Sequence, residues 1–408
     1  VHLADEAAPI GPALSRKSYL NAEAILKAAR DTGADALHPG YGFLSENADF
    51  ARACQDAGLT FIGPQPAAIR LAGHKSEARR ILSAAGVPVI PGSEGILANA
   101  GDAAALAERI GYPVIIKAAG GGGGRGMRIA HAPAELADLF RLAAGEAAVA
   151  FGASDLYLEK YIAQPRHVEI QVLADDHGHM IHLGERECSI QKRYQKLIEE
   201  APSPLLDEDL RARMGAAALQ AARQVGYRNA GTVEFLVDAE KRFYFMEINA
   251  RVQVEHPVTE MVTGLDIVQA QIRIAAGEAL TLRQEDVRLK GWAIECRINA
   301  ADPANDFMPS PGEVGALKLP EGPGIRVDTY LAPGCLVPPF YDALIAKLIA
   351  WGPDRASALF RMRRALEDFA VEGIHTTVPF HRQILADRDF QAGRYDTHFL
   401  ERFIPATD

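Results

Sequence analysis

The chain has 408 residues, 48% apolar and 24% charged, and its 53 acidic against 43 basic side chains leave a formal net charge of −10. This is a globular composition, long enough for roughly two to three domains, and it excludes disordered, collagenous and disulfide-stapled classes. No stretch approaches the roughly 20 apolar residues of a membrane span, and an acidic chain is a poor general binder of polyanions, so neither membrane nor nucleic acid is expected as a partner. Cys54, Cys188, Cys296 and Cys335 lie far apart with no Cys-x-x-Cys pair, so a zinc ribbon is not expected either. The opening Val1-His2-Leu3-Ala4-Asp5-Glu6 is neither a basic nor an apolar leader, so a cytoplasmic location is expected, with the mitochondrial matrix also open.

Asn21 predicts the cap of a helix that Gly33 stops; Ala36-Leu37-His38 reads as a short strand, Ser45 as the cap of a second helix ended by Gly58, and Thr60-Phe61-Ile62 as another strand. Such βα alternation predicts a parallel, doubly wound sheet. A helix is expected over 75–85, a strand at Pro113-Val114-Ile115-Ile116, a glycine loop, a strand at Met127-Arg128-Ile129-Ala130 and a helix over 134–148. Residues 166–174 alternate polar and apolar, the pattern of a half-buried strand. A helix over 208–224 with strands over 232–237 and 242–248 makes a second α+β block, and a strand over 292–298 and an amphipathic helix over 355–371 follow.

Residues 120–124 are five consecutive glycines, preceded by Lys117 at the end of an apolar strand and followed by Arg125-Gly126-Met127-Arg128. Glycine leaves backbone N–H groups bare, so this loop can fold over phosphate oxygens while Lys117 and Arg125 supply charge. The plain alternative is a hairpin tip. Neither the Walker pattern nor the dinucleotide fingerprint fits, because the run enters a strand instead of opening a helix. Strand, glycine loop, strand is the order of a hinged lid that closes on a nucleoside triphosphate.

The second informative stretch is Glu247-Ile248-Asn249-Ala250-Arg251-Val252-Gln253-Val254-Glu255. If extended, it puts Glu247, Asn249, Arg251, Gln253 and Glu255 on one face and only apolar residues on the other. Glu234 lies in a candidate neighbouring strand. Two carboxylates and an amide oxygen suit a hard cation such as Mg²⁺, and Arg251, Gln253 and Glu255 read as an anion-binding arginine beside a base. An exposed amphipathic strand is the bland alternative. Lys196 and Arg297 are further candidate cations.

His38-Pro39-Gly40-Tyr41-Gly42-Phe43-Leu44-Ser45-Glu46-Asn47, Lys117 with the 120–127 stretch, Pro165-Arg166-His167-Val168-Glu169-Ile170-Gln171, the 247–260 stretch, Glu295-Cys296-Arg297-Ile298-Asn299 and Pro309-Ser310-Pro311-Gly312 together resemble the biotin carboxylase component of biotin-dependent acyl-CoA carboxylases. The resemblance runs along the whole chain. It implies an α/β and α+β ATP-grasp fold with a Rossmann-like N-terminal domain (1–72), a glycine-rich lid with its linker (73–161), a catalytic core (162–290) and a C-terminal biotin carboxylase domain (291–408). The implied reaction is ATP- and Mg²⁺- (or Mn²⁺-) dependent carboxylation of biotin by bicarbonate through carboxyphosphate. The implied partners are a biotin carboxyl carrier domain or protein, a carboxyltransferase, and a second copy of the chain in a homodimer or larger assembly.

The resemblance also assigns residues. Lys75 and Lys117 would contact nucleotide phosphates under Gly122, Gly123 and Gly124. Glu159, Lys160, Ile162, His167, Gln191 and Leu236 would complete the ATP site, and Glu234, Glu247 and Asn249 would hold the metal. Lys196, Arg251, Gln253 and Val254 would bind bicarbonate, Glu255 would be its general base, and Arg297 with Tyr41 would receive biotin. Three departures accompany it. The family opens with a further strand and helix, roughly one βαβ unit, so the 1–72 domain is expected to lack its first strand and helix. Tyr194 stands where many members have histidine. No methionine precedes a lysine, so biotin is expected on another chain or on a more C-terminal part.

Overall fold

The computed structural model describes residues 3–118, 127–151 and 154–403. Asn21 caps α1 (Ala22–Thr32) by accepting from the Ala24 N–H, and Gly33 ends it in the left-handed conformation that glycine adopts at little cost. After β1 (Ala36–Leu37) comes α2 (Ala48–Asp56), which is capped by Asn47 and not by Ser45: the Asn47 side chain accepts from the Phe50 N–H, two residues beyond the expected position. β2 (Thr60–Phe61) pairs in parallel with β1, so the predicted parallel arrangement is present as a two-stranded pair. α3 (Pro66–Gly73) opens on a proline, whose missing N–H is no loss in a first turn.

α4 (Lys75–Ala84) and α5 (Ala100–Ile110) lead into a small antiparallel sheet in which β3 (Val114–Ala118) lies between β4 (Arg128–Ala130) and β5 (Leu156–Lys160), with α6 (Pro133–Phe151) joining the two outer strands. Leu106, Val114, Ile116, Leu136, Leu156 and Leu158 form its own core. The glycine run, with Gly122, Gly123, Gly124 and Arg125, falls outside the described residues.

The main sheet is built from β6 (Arg166–Ala174), β7 (Met180–Lys192), β8 (Gln195–Ala201), β9 (Asn229–Val237), β10 (Phe243–Asn249), β11 (Trp292–Asn299), β12 (Ile325–Thr329) and β13 (Leu344–Gly352), ordered β10-β9-β6-β7-β8-β11-β13-β12 with every neighbour antiparallel. Hydrogen bonding between β8 and β11 carries this sheet across the sequence division at residue 290. One face of β6 and β9, with Val168, Ile170, Val172, Val233 and Phe235, packs on Leu210, Met214 and Ala218 of α7 (Glu208–Gln224). Each such fully buried Leu or Met is worth about 1.5–3 kcal/mol. The 166–174 expectation is corrected here: all nine residues of β6 are buried, because the polar face covers a cleft floor and does not meet open solvent.

The 247–255 stretch is corrected too. β10 ends at Asn249, and residues 250–255 turn into α8 (His256–Thr263), with Pro257 in its first turn. Only Glu247 and Asn249 are on strand positions. α8 lays Val258 and Val262 over Ala201, Ala293 and Ile349 on one face of β8, β11 and β13, while α9 (Arg355–Asp368) covers the other face with Leu359, Met362 and Leu366. Cys54, Cys188 and Cys296 are buried and all four cysteines are free. Among the described residues no helix is long and apolar enough to cross a membrane.

Candidate active site

Strand alternation gives the cleft floor its charge. On β6, His167, Glu169 and Gln171 face away from α7, and on β9 Thr232 and Glu234 lie opposite Gln171 and Glu169 in register. Arg186 from β7 is fully buried beneath them, donating to Glu169 Oε1 at 2.5 Å, Gln171 Oε1 at 2.6 Å, Thr232 Oγ1 at 2.9 Å and Thr259 Oγ1 at 3.0 Å. A buried arginine so fully paired fixes the floor in place.

Above it sits Lys196, its side chain 11% exposed. Its ammonium donates to Glu169 Oε2 at 2.5 Å, Glu255 Oε1 at 2.7 Å and Glu234 Oε1 at 2.8 Å. Burial pushes that ammonium down, but Glu169, Glu234 and Glu255 outweigh it and hold it well above its ordinary range. Glu255 is fully buried, and its other oxygen accepts from Arg297 Nη2 at 2.9 Å. Burial raises the Glu255 carboxyl, and Lys196, Arg297 and Arg186 more than reverse this, holding it well below the usual carboxylate range. Arg297 donates through Nε to Glu199 at 2.6 Å. Burial raises the Tyr41 phenol, with Arg297 opposing, which places Tyr41 beside this end of the cluster.

Although the extended reading of 247–255 fails, its side chains still meet, because the turn folds them back over Asn249. Arg251 donates to Gln253 Oε1 at 3.0 Å and Asn249 Oδ1 at 3.2 Å, and Asn249 donates to Glu234 at 2.8 Å. Lys347 holds the Val254 carbonyl at 3.1 Å. Glu234 and Glu247 are cross-strand partners, and Lys75 pairs with Glu247 at 2.6 Å. Burial lowers the Lys75 ammonium, but Glu247, then Glu234 and Glu159, hold it above its ordinary value, so the β5 carboxylate faces the same cleft. Lys117 pairs with Glu159 Oε2 at 2.6 Å. His167 is hydrogen-bonded to Gln191 at 2.7 Å, and its Nε2 lies 2.9 Å from Glu234 Oε2. Leu236 is the register partner of His167, and Ile162 follows β5, half-buried.

Two sequence-selected residues point elsewhere. The Lys160 ammonium donates to the carbonyls of Tyr112 at 2.7 Å and Gly111 at 3.0 Å, tying β5 to the end of α5. Tyr194 is 64% exposed at the tip of the β7–β8 hairpin, where it and Arg193 both have positive φ. The cleft also holds residues without a candidate role in the sequence, among them Glu169, Arg186, Glu199 and Lys347; Arg79, which donates to Glu159 at 2.6 Å; and Glu46, which accepts from the Ala250 N–H and from Arg251 Nε, both at 2.9 Å. Glu234, Glu247 and Asn249 offer only carboxylate and amide oxygens, the donors that Mg²⁺ or Mn²⁺ prefers. The nearby Cys188 thiol is pushed well up by burial and stays protonated.

Three family models match in order along the chain: the N-terminal domain of biotin carboxylase at 1–69, the ATP-binding domain of the carbamoyl-phosphate synthase L chain at 74–283, and the C-terminal domain of biotin carboxylase at 295–402. Biotin carboxylase 1 of Bacillus subtilis is 55% identical over 404 residues, covering 99% of this chain and 90% of the relative. The chain belongs to the biotin carboxylase family. Among solved structures, the biotin carboxylase of Campylobacter jejuni in a β-γ-ATP complex is similar with a TM-score of 0.93 at 48% identity, covering 98% of this chain and 90% of that one. The biotin carboxylase domain dimer of Hydrogenobacter thermophilus 2-oxoglutarate carboxylase, in complex with MgADP, ADP and bicarbonate, is similar with a TM-score of 0.91 at 50% identity, covering 98% and 88%. The described residues thus form a biotin carboxylase cleft with ATP-grasp architecture. Its small three-stranded sheet supplies Lys117 and Glu159, and its main sheet supplies Glu169, Lys196, Glu234, Glu247 and Arg297.

Proposed function

We infer that this cleft carries out the reaction of its family, ATP-dependent carboxylation of biotin by bicarbonate, and that Glu255 is the base that starts it. The observation that carries the assignment is the Glu255 carboxylate, buried and clasped by Lys196 at 2.7 Å on one oxygen and Arg297 at 2.9 Å on the other. Clasped in this way it is a weak base. An anion arriving beside Lys196, Arg251, Gln253 and the backbone of Val254 competes for those cations, and a carboxylate that loses part of its clasp gains basicity where a bicarbonate proton must go. Arg251 and Lys196 then hold bicarbonate in line with the terminal phosphate of ATP, which supplies proximity and orientation together.

Phosphoryl transfer needs charge neutralisation more than covalent chemistry. Lys75 and Lys117, each now spent on a carboxylate, are the cations that nucleotide phosphates would draw away. Glu159, Ile162, His167, Gln191 and Leu236 would line the rest of the nucleotide site, and Lys160 would join them only by leaving the Gly111 and Tyr112 carbonyls. Glu234, Glu247 and Asn249 would hold Mg²⁺ or Mn²⁺, which when bound neutralises phosphate charge. Carboxyphosphate would break down to CO₂ and phosphate inside the closed site, phosphate would take the biotin proton, and Arg297 beside Tyr41 would stabilise the enolate that captures CO₂. The four segments 1–72, 73–161, 162–290 and 291–408 would divide this work, with biotin delivered on a carrier domain or protein and passed to a carboxyltransferase. The dimeric relative supports a homodimer.

The test is bicarbonate-dependent ATP hydrolysis with free biotin. Glu255→Gln keeps the shape and removes the base, and turnover is expected to fall about 10²–10⁴-fold. Turnover like that of the unaltered chain would overturn the assignment.

A further inference from the structure

Glu295 is fully buried, and neither of its carboxyl oxygens has a hydrogen-bond partner. It stands on β11 directly opposite Glu199 on β8, so the two carboxyls share a sheet face with Cβ atoms about 5 Å apart. Glu199 is also fully buried, with one oxygen holding Arg297 Nε at 2.6 Å and the other, Oε2, unpartnered. The α8 side chains Val258 and Val262 seal this face one residue pair further along. Two adjacent carboxylates shut away from water repel each other and lose their hydration together, which is strongly unfavourable.

The surroundings decide which of them gives way. Arg297 is two residues along β11, and Lys347 on β13 lies opposite Arg297. Glu255 approaches from the turn before α8, and His256 beside it is held down to about 3 by burial and then Lys347, so it stays neutral. Burial raises the Tyr41 phenol, so it adds no charge to the group. Lys347 also faces Asp328 on β12 at 3.4 Å, and Asp328 is itself gripped by both arms of Arg326. Lys196 is already committed to Glu169, Glu234 and Glu255. Five carboxyls, Glu169, Glu199, Glu234, Glu255 and Glu295, therefore stand against four cations, Arg186, Lys196, Arg297 and Lys347, and charge balances when one carboxyl carries a proton. Glu199 and Glu255 each accept a guanidinium N–H; Glu295 accepts nothing.

We propose that Glu295 is a standing carboxylic acid that shares its proton with Glu199 Oε2, directly or through one water, and thereby acts as a positioning residue for Arg297. Burial pushes Glu295 well above the carboxylate range and Glu199 up to about 7, with Lys347 opposing the first and Arg297 the second. Among the described residues, Arg297 Nη1 has no protein partner, and it is the nitrogen left for a ligand. An ionised Glu295 on the same face would compete for the guanidinium and draw it from the cleft. Glu199 and Glu295 thus have unequal roles despite their identical chemistry: one must be an anion and the other must not.

The first experiment needs no turnover. Infrared spectra of the whole chain in H₂O and D₂O, recorded about two pH units above the Glu199 value of about 7 so that Glu199 is ionised, are expected to show the isotope-sensitive C=O band of a protonated carboxyl, lost in Glu295→Gln. Absence of that band, or its survival in the variant, overturns the proposal. The kinetic arm rests on the reading of Arg297 as the biotin contact. In the unaltered chain the KM for biotin is expected to rise about tenfold per pH unit once the shared proton is lost, whereas kcat changes less. Glu295→Gln, which mimics the neutral acid, is expected to remove that alkaline rise and stay within about threefold at neutral pH, as a volume-conserving change does. Glu199→Gln is expected to raise the KM at every pH. Equal effects from the two variants, or an unchanged alkaline rise in Glu295→Gln, overturn the proposal. If Arg297→Gln leaves the KM for biotin unaltered, the reading of Arg297 fails, and the infrared result alone decides the protonation.

Discussion

The two ends of the cleft hold their charges in opposite ways. At the nucleotide end, Lys75 and Glu247 pair with side chains 60% and 25% exposed, and Lys117 and Glu159 with 25% and 9%. At the deep end, Lys196 is 11% exposed and Glu169, Glu199 and Glu255 are wholly shut away. Exposed pairs are worth little and exchange partners readily. Buried ones are costly to desolvate, costly to break, and fixed before any ligand arrives. The contrast suits the two tasks proposed above: a nucleotide would have to enter and leave, whereas the proposed base and the arginines that would hold an anion should not reorganise during reaction.

Removing Lys196 is the strongest way to break this contrast. Lys196→Met would leave Glu169, Glu234 and Glu255 facing one another without their shared cation. The expected loss is about 3–5 kcal/mol of stability in urea unfolding, as for other broken buried pairs, together with at least about 10²-fold in bicarbonate-dependent ATP hydrolysis. A variant as stable as the parent would show that the deep network is not prearranged.

Acid gives the next largest effect. Glu255 is held below the ordinary glutamate value of 4.5, so its stabilising contribution is complete above that value and is lost as pH falls through the depressed native range. Glu199 has the opposite sign: its raised native value, about 7, makes its contribution greatest in acid and loses it as pH rises toward that value. Between about pH 5 and pH 3 the melting temperature of the unaltered chain is therefore expected to fall faster than that of Glu255→Gln. Parallel curves in differential scanning calorimetry would count against the clasp on Glu255.

At the nucleotide end the effects are smaller and of another kind. Lys75→Ala and Lys117→Ala are each expected to change stability by less than about 1 kcal/mol, while raising the KM for ATP about tenfold through loss of a charged phosphate contact. A stability loss as large as that of Lys196→Met would erase the distinction between the two ends.

Sequence made some of this visible and hid the rest for identifiable reasons. Asn21, Gly33 and the bounds of α7 could be read directly because capping and periodicity are local. The 247–255 stretch was read as one strand because alternation looks alike in a strand and in a strand that turns at residue 250, and Pro257 fits either a strand end or a first helical turn. Its chemistry survived the wrong geometry, since the same side chains converge either way. Glu169 was missed for the converse reason. His167, Glu169 and Gln171 alternate with Val168, Ile170 and Val172, and such alternation implies a strand with one face toward solvent; that the face is instead a covered floor depends on Arg186, Glu234 and Lys196, which no local pattern connects to it. Arg186, Glu199 and Glu295 owe their surroundings to pairings between strands far apart in sequence.

Glu46 lies between the two regimes and should give the smallest effect. Its side chain is 42% exposed, yet its two oxygens accept from the Ala250 N–H and Arg251 Nε, both at 2.9 Å, so it braces the 250–255 turn, the proposed anion site, from outside the buried network. Glu46→Gln keeps one acceptor and loses the charge. Partial exposure keeps the ion pair weak, so stability should change by less than about 1 kcal/mol. Arg251 would keep its bonds to Gln253 and Asn249 but lose a fixed partner on Nε, and a looser arginine holds a small anion less well. The KM for bicarbonate is expected to rise about threefold to tenfold with kcat nearly unaltered. A fall in kcat as large as that from Glu255→Gln would mean that the deep network extends out to Glu46, and the boundary between the two ends would have to move.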